Sequence, residues 1–171
     1  MQCRMRRPAL PEESGITIRK ASVNDIPLVL QLIKELAEFE RISHEVFASE
    51  ETLQESLFGQ KPAAEAILAE RAGKPVGFAI YFNNFSTFVG RPGLYIEDLY
   101  VKPECRGLGV GKALLRHCAR VAQERNLGRV EWAVLDWNPA RAFYEHFGAR
   151  AMDDWVIYRL TGTALRDLAD S

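Results

Sequence analysis

The chain has 171 residues, 47% of them hydrophobic and 26% charged, with a formal net charge of −1. That length suits one domain with a sizeable core, and the near-neutral balance argues against nucleic acid as the main partner. No apolar run approaches the ~20 residues of a membrane span, and three cysteines without a C-x-x-C pair argue against a disulfide framework or a zinc site and suit a reducing cytoplasm.

Residues 1–15 are polar, basic and proline-containing, and lack the apolar stretch of a signal peptide. They are expected to be a flexible extension, with one domain over 16–171. Ile16-Thr17-Ile18-Arg19-Lys20 alternates apolar and polar and reads as a strand. Ser22-x-x-Asp25 then resembles a helix-capping arrangement. The helix that follows should run to about residue 40, with Ile26, Leu30, Ile33, Ala37 and Glu40 on one side and Val29 and Leu36 beside them. Its end, Glu35 to Glu40 with Phe39, is acidic and aromatic: either a solvated face or part of a site.

Residues 43–60 read as a loop and a short helix faced by Leu53, Leu57 and Phe58. Glu65–Glu70 and Pro75–Phe82 are strand-like, joined by the hairpin turn Ala72-Gly73-Lys74. Asn83 to Gly93 reads as a long loop whose Phe85 and Phe88 fold back onto the core or cover a substrate.

Leu94–Val101 reads as the central strand. Period two puts Tyr95, Glu97, Leu99 and Val101 on one face and Ile96, Asp98 and Tyr100 on the other. Two adjacent carboxylates in an apolar strand cost free energy if buried without partners, so at least one is expected to serve function; capping or an arginine partner is the structural alternative. The strand runs into Arg106-Gly107-Leu108-Gly109-Val110-Gly111-Lys112, whose glycines free the backbone for positive φ at the start of a helix. Inward N–H groups at the positive helix end suit a pyrophosphate. A Walker loop is excluded, because Arg106 stands where glycine is needed and Ala113 where Ser or Thr is needed; a dinucleotide loop would need glycine at Lys112.

The helix from Val110 to Arg125 carries the stripe Leu114, Cys118, Val121 and Ala122, which makes Cys118 a small buried hydrophobe. Val130–Leu135 reads as a strand, Ala140–Phe147 as a short helix stopped by Gly148, and Val156, Tyr158 and Leu160 as a last alternating strand before a helical turn over Thr161–Asp170. His44, His117 and His146 show no metal-ligand spacing, so no metal is expected.

The glycine loop behind a strand bearing Glu97 and Asp98 resembles the acetyl-coenzyme A loop of the GNAT superfamily of N-acetyltransferases. The element order is similar to that α/β fold, a central mixed sheet flanked by helices, from about residue 16 to 160. Leu32 to Glu40, Tyr95 to Val101 and Val134 to Asn138 further resemble the diamine (spermidine/spermine) and thialysine acetyltransferase branch. The resemblance implies that Leu99, Tyr100 and Val101, with Arg106, Gly107, Leu108, Gly109, Val110, Gly111 and Lys112, hold acetyl-coenzyme A, joined by Asn138. It implies Glu97 as the base and Tyr144 as the acid for the departing thiolate; on periodicity alone Tyr144 is a core-facing aromatic. Phe39 and Glu40, with Glu97 and Asp98, would receive the substrate, and Glu131, Trp132 and Ala133 would form the far wall. The step from Asn138 to Tyr144 is one residue short of the family's spacing, while Phe143-Tyr144-x-x-Phe147-Gly148-Ala149 matches it.

An alkylammonium has a pKa near 10.4 and must lose a proton before attacking a thioester. Burial on the strand would raise the basicity of Glu97, strand N–H groups near Leu99 would hold the oxyanion, and a phenol at Tyr144 would carry its proton at neutral pH. Direct attack in a ternary complex on a small cationic amine, a polyamine or lysine analogue, is the expected reaction. Acetylation of a protein N-terminus or lysine, and a non-catalytic acyl-coenzyme A sensor, are the alternatives. A cytoplasmic homodimer is expected, without nucleic acid or membrane partners.

Overall fold

The computed structural model describes residues 15–171, so the extension expected over 1–15 lies outside the described residues except for Gly15. Two compact units divide the chain, one ending at Ala133 and one running from Val134 to Ser171. The first carries the sheet.

Strand β1 (Ile16–Lys20) leads through a short 3-10 turn to α1 (Ile26–Phe39), α2 (Glu50–Phe58), β2 (Glu65–Arg71), β3 (Lys74–Ser86), β4 (Arg91–Val101), α3 (Val110–Glu124) and β5 (Val130–Trp132). The sheet order is β1-β2-β3-β4-β5. All pairings are antiparallel except β4 with β5, which is parallel because α3 crosses over between them. The sheet is therefore mixed, as expected.

Each face of the sheet has its own core. On one side α3 lays Val110, Leu114, Cys118, Val121 and Ala122 against Ile67, Ala79, Tyr81, Leu94 and Ile96. The expected stripe is buried, and burial pushes the Cys118 thiol up to about 12, as suits a packing residue. On the other side Ile26, Val29 and Leu32 of α1 and Leu57 of α2 cover Leu68, Phe78, Ile80 and Tyr100. The capping arrangement at Ser22 and Asp25 falls on the 3-10 turn Val23–Asp25 that precedes α1: the Asp25 carboxylate accepts from the Ser22 N–H at 2.8 Å and from Ser22 Oγ at 2.7 Å.

The β2–β3 hairpin turns on Ala72 and Gly73, both at positive φ (50° and 71°), the geometry that matches strand twist. At Gly77 glycine is needed for close approach. A Cβ there would sit 2.5 Å from the Tyr100 carbonyl oxygen and 3.3 Å from Val101 Cα, both backbone atoms that cannot swing away. Gly77→Ala should cost about 1–3 kcal/mol, read as a thermal midpoint lowered by roughly 3–10 °C; an unchanged midpoint would contradict the β3–β4 approach described.

Three expectations are corrected. Asn83 to Gly93 is not a long loop: Asn83 to Ser86 pair with Leu94 to Arg91, leaving a short turn closed by Gly90 N–H donating to Ser86 O at 2.8 Å. Its asparagines and Pro92 carry turn chemistry, but the ladder satisfies their backbone and outweighs local propensity. Phe85 and Phe88 are 64% and 92% exposed and do not fold back onto the first unit's core. The strand expected over Val130–Leu135 stops at Trp132.

The second unit holds α4 (Ala140–His146) and α5 (Gly162–Ala169). The strand expected through Val156, Tyr158 and Leu160 is absent there: the segment has no regular structure and its side chains are exposed. Alternation alone does not make a strand, which needs a neighbour for its backbone groups, and this unit contains no other strand.

Candidate active site

The sheet is interrupted at Glu97. Ile80 pairs with Asp98 and the next residue, Tyr81, pairs with Ile96, so Glu97 is an extra residue, a β-bulge. A bulge reverses the alternation beyond it. Leu94 and Ile96 face the α3 core, and so do Leu99 and Val101, while Tyr100 joins the α1 core. The strict two-residue period is thus corrected: Leu99 and Val101 share a face with Leu94 and Ile96, and Asp98 lies with Tyr100 under α1.

Just past the bulge the strands part. The β4–β5 ladder runs Leu94↔Val130, Tyr95↔Glu131, Ile96↔Trp132 and stops. Asp98 and Tyr100 lie opposite Ile80 and Phe78, and the Lys102 N–H donates to Val76 O at 3.0 Å. Antiparallel alternation then turns the backbone of Leu99 and Val101 toward the open edge and keeps that of Tyr100 in the β3 ladder. Leu99 and the Val101 N–H face this edge, while the Val101 carbonyl accepts from Arg106; Tyr100 contributes a buried ring instead.

The open edge leads into the glycine loop. Gly107 and Gly109 hold φ of 75° and 88°, the left-handed region that glycine enters without strain. A Cβ at Gly107 would meet nothing within 4 Å, so glycine is required there for conformation and not for packing. The α3 ladder begins with Ala113 N–H to Gly109 O at 3.0 Å. The N–H groups of Val110 and Gly111 therefore have no acceptor within the helix. A 15-residue helix with glycine at its start is a fit for a pyrophosphate. Arg106 frames the loop: its Nε donates to Val101 O at 3.1 Å, and its guanidinium lies 4.3 Å from the Phe39 ring centre and 5.9 Å from that of Tyr100. Phe39 is thus a platform for Arg106, beside an open hollow of about 410 Å³ lined by Glu35, Glu38, Phe39, Tyr100, Lys102, Pro103 and Glu104.

Burial falls on Asp98 and not on Glu97. The Glu97 side chain is exposed at the bulge, whereas Asp98 is half-buried. Desolvation, then the charges of Glu97 and Glu40, raise the Asp98 carboxyl to about 7. Burial raises Glu40 as well. Three carboxyl groups from the end of α1 and the middle of β4 thus share one neighbourhood. Neither Asp98's depth nor its displaced titration is visible without the bulge.

Glu131 and Trp132 lie on β5 beside Tyr95 and Ile96, and Ala133 follows, exposed. In the second unit Asn138 Oδ1 accepts from the Ala140 N–H at 2.9 Å, so this side chain caps α4. Tyr144 is half-buried on α4, its ring 5.2 Å from that of Phe143.

A parted strand pair feeding a glycine-lined helix start suits an extended, phosphate-bearing carrier. The chain belongs to the acetyltransferase (GNAT) family, whose model matches residues 30–149. It is therefore an acetyl-coenzyme A-dependent acetyltransferase. It is 38% identical to the thialysine N-epsilon-acetyltransferase of Bos taurus over 166 residues, covering 90% of this chain and 97% of that protein. It is 32% identical to the L-ornithine N5-acetyltransferase of Arabidopsis thaliana, covering 87% of this chain and 86% of that protein. Among solved structures it is similar to an integron cassette protein from the mobile metagenome of V. cholerae, with a TM-score of 0.76 and 28% identity, covering 92% of this chain and 99% of that one.

Proposed function

We propose that this enzyme acetylates the primary amine of a small cationic substrate, a polyamine or lysine analogue, by direct attack in a ternary complex. The observation that carries the reading is the bulge at Glu97, which opens the strand edge toward the glycine loop and sinks Asp98 beside it. The relatives named for thialysine and ornithine acetylation support the substrate class.

The N–H groups of Val110 and Gly111 at the start of α3 would hold the pyrophosphate of acetyl-coenzyme A with Lys112 beside them, and the edges of Leu99 and Val101 its pantetheine arm. Bound there, the coenzyme supplies an acetyl thioester. The Leu99 N–H would donate to the acetyl oxygen as it becomes negative. The Glu97/Asp98 pair takes the proton of the ammonium, and Asp98, with an affinity near neutrality, is the better matched of the two. Acids at Glu38, Glu40, Glu97 and Asp98 steer a cationic amine toward this region. Tyr144 would return a proton to the coenzyme A thiolate. We place both units in one catalytic domain, since the family match crosses from one to the other.

The test is a mass-spectrometric product screen with acetyl-coenzyme A and spermidine, putrescine, lysine, thialysine, an aminoglycoside and a peptide N-terminus. An acetylated polyamine or lysine analogue supports the reading. Acetylated peptide alone, or no product from any amine, overturns it. We also propose a cytoplasmic homodimer. Phe85 and Phe88, exposed at the β3–β4 turn, are candidates for its interface, and light scattering giving the mass of one 19.3 kDa chain would end that idea.

A further inference from the structure

The α1-side face of the sheet carries a polar cluster, built around Glu131 of the expected far wall, that takes no part in the proton transfers proposed above. Asn84 on β3 and Glu131 on β5 stand on either side of β4, yet Asn84 Nδ2 donates to Glu131 Oε2 at 2.9 Å. Arg129 Nε lies 2.8 Å from the same oxygen. The reach across β4 depends on Gly93 between them. A Cβ there would fall 2.4 Å from Asn84 Oδ1 and 3.2 Å from Arg129 Cγ.

The cluster is poorly placed to stabilise the fold. The side chains of Arg129 and Glu131 are 38% and 36% exposed, and a solvent-exposed ion pair contributes little. What the Asn84 hydrogen bond and the Arg129 charge do is hold one carboxylate oxygen. They leave Glu131 Oε1 and the terminal nitrogens of Arg129 without a partner among the described residues. An anionic and a cationic edge thus stand side by side, next to Trp132, where β4 and β5 part.

Such an edge pair is complementary to a zwitterion. At ~3.3 Å per residue, Glu131 and Arg129 lie roughly 3 and 10 Å back along the strand from that parting. An amine five bonds of about 1.5 Å from its α-carbon spans ~6 Å, so a lysine-sized substrate reacting at the parting would bring its α-carbon between them.

We propose that Arg129 and Glu131, braced by Asn84 across Gly93, form the subsite that receives the α-amino-acid end of the acceptor. The α-ammonium sits at Glu131 Oε1 and the α-carboxylate at Arg129. This rests on the proposed acetylation of a small amine and narrows it: a free diamino acid is selected over a polyamine, whose second ammonium would meet Arg129 with like charge.

The test compares kcat/KM of the full-length enzyme on thialysine, lysine, lysine methyl ester and cadaverine, the last two lacking the carboxylate charge. The amino acids should be favoured roughly 10–100-fold, the value of one charge-assisted contact, carried by KM. Arg129→Gln should collapse that preference while coenzyme A binding by calorimetry, which reports an intact fold, persists. If the wild type acetylates cadaverine or the ester as well as lysine, the inference falls and the proposed function stands. Equal losses on every acceptor in Arg129→Gln would also overturn it. If no small amine is acetylated, the proposed function fails and takes this subsite with it.

Discussion

Tyr144→Phe should lower kcat by about 10²–10⁴-fold, the usual contribution of a positioned general acid, while coenzyme A binds within twofold of wild type. The substitution removes one oxygen and keeps the ring that packs 5.2 Å from Phe143 on α4, so the helix should be unaffected. An ordinary phenol holds its proton up to about pH 10, whereas phenylalanine has none to give. The loss should therefore appear in kcat and persist over the whole range from about pH 6 to 9. Steady-state turnover with mass detection of the product, paired with calorimetric binding of coenzyme A, checks both halves. Wild-type turnover across that range would remove Tyr144 from the proton path. Binding and turnover lost together would instead make it a structural residue of the second unit.

The features that could be read from the sequence are those dictated by local chemistry. Gly107 and Gly109 sit where the backbone must be left-handed, and few other residues accept that cost. The stripe through Leu114 and Cys118 repeats at helical spacing and is buried. The features that escaped depend on partners distant in sequence. The bulge at Glu97 belongs to the β3–β4 pairing and not to β4 alone, so no periodicity within residues 94–101 reveals it. Missing it put the burial on the wrong carboxylate. Asn84 meets Glu131 across 47 residues, and its neighbours Asn83 and Pro92 suggested a loop. Conversely, Val156, Tyr158 and Leu160 alternate as a strand would, yet alternation describes an amphipathic ribbon and supplies no hydrogen-bonding neighbour.

The second large effect is expected at Asp98. Its carboxyl is raised to about 7, first by burial and then by Glu97 and Glu40. It accepts a proton only when ionised, so wild-type kcat/KM should rise with pH through a midpoint near 7. Asp98→Asn should lose about 10²–10⁴-fold at pH 8 and abolish that limb. Glu97→Gln should act differently: it removes one neighbouring negative charge, which lowers the Asp98 titration and moves the limb to lower pH while turnover survives. The same shift has a stability consequence of definite sign. Between an unfolded value near 3.9 and the folded value of about 7, the native state binds the extra proton, so stability falls as pH rises through that window. Asp98→Asn should remove this slope and raise the thermal midpoint at pH 8 by roughly 2–8 °C, or about 1–2 kcal/mol. A variant that is more stable and nearly inactive would mark a carboxylate held for chemistry at the expense of folding. If Asp98→Asn retained the limb near 7 while Glu97→Gln abolished turnover, the proton acceptor would be Glu97, acting from the bulge itself.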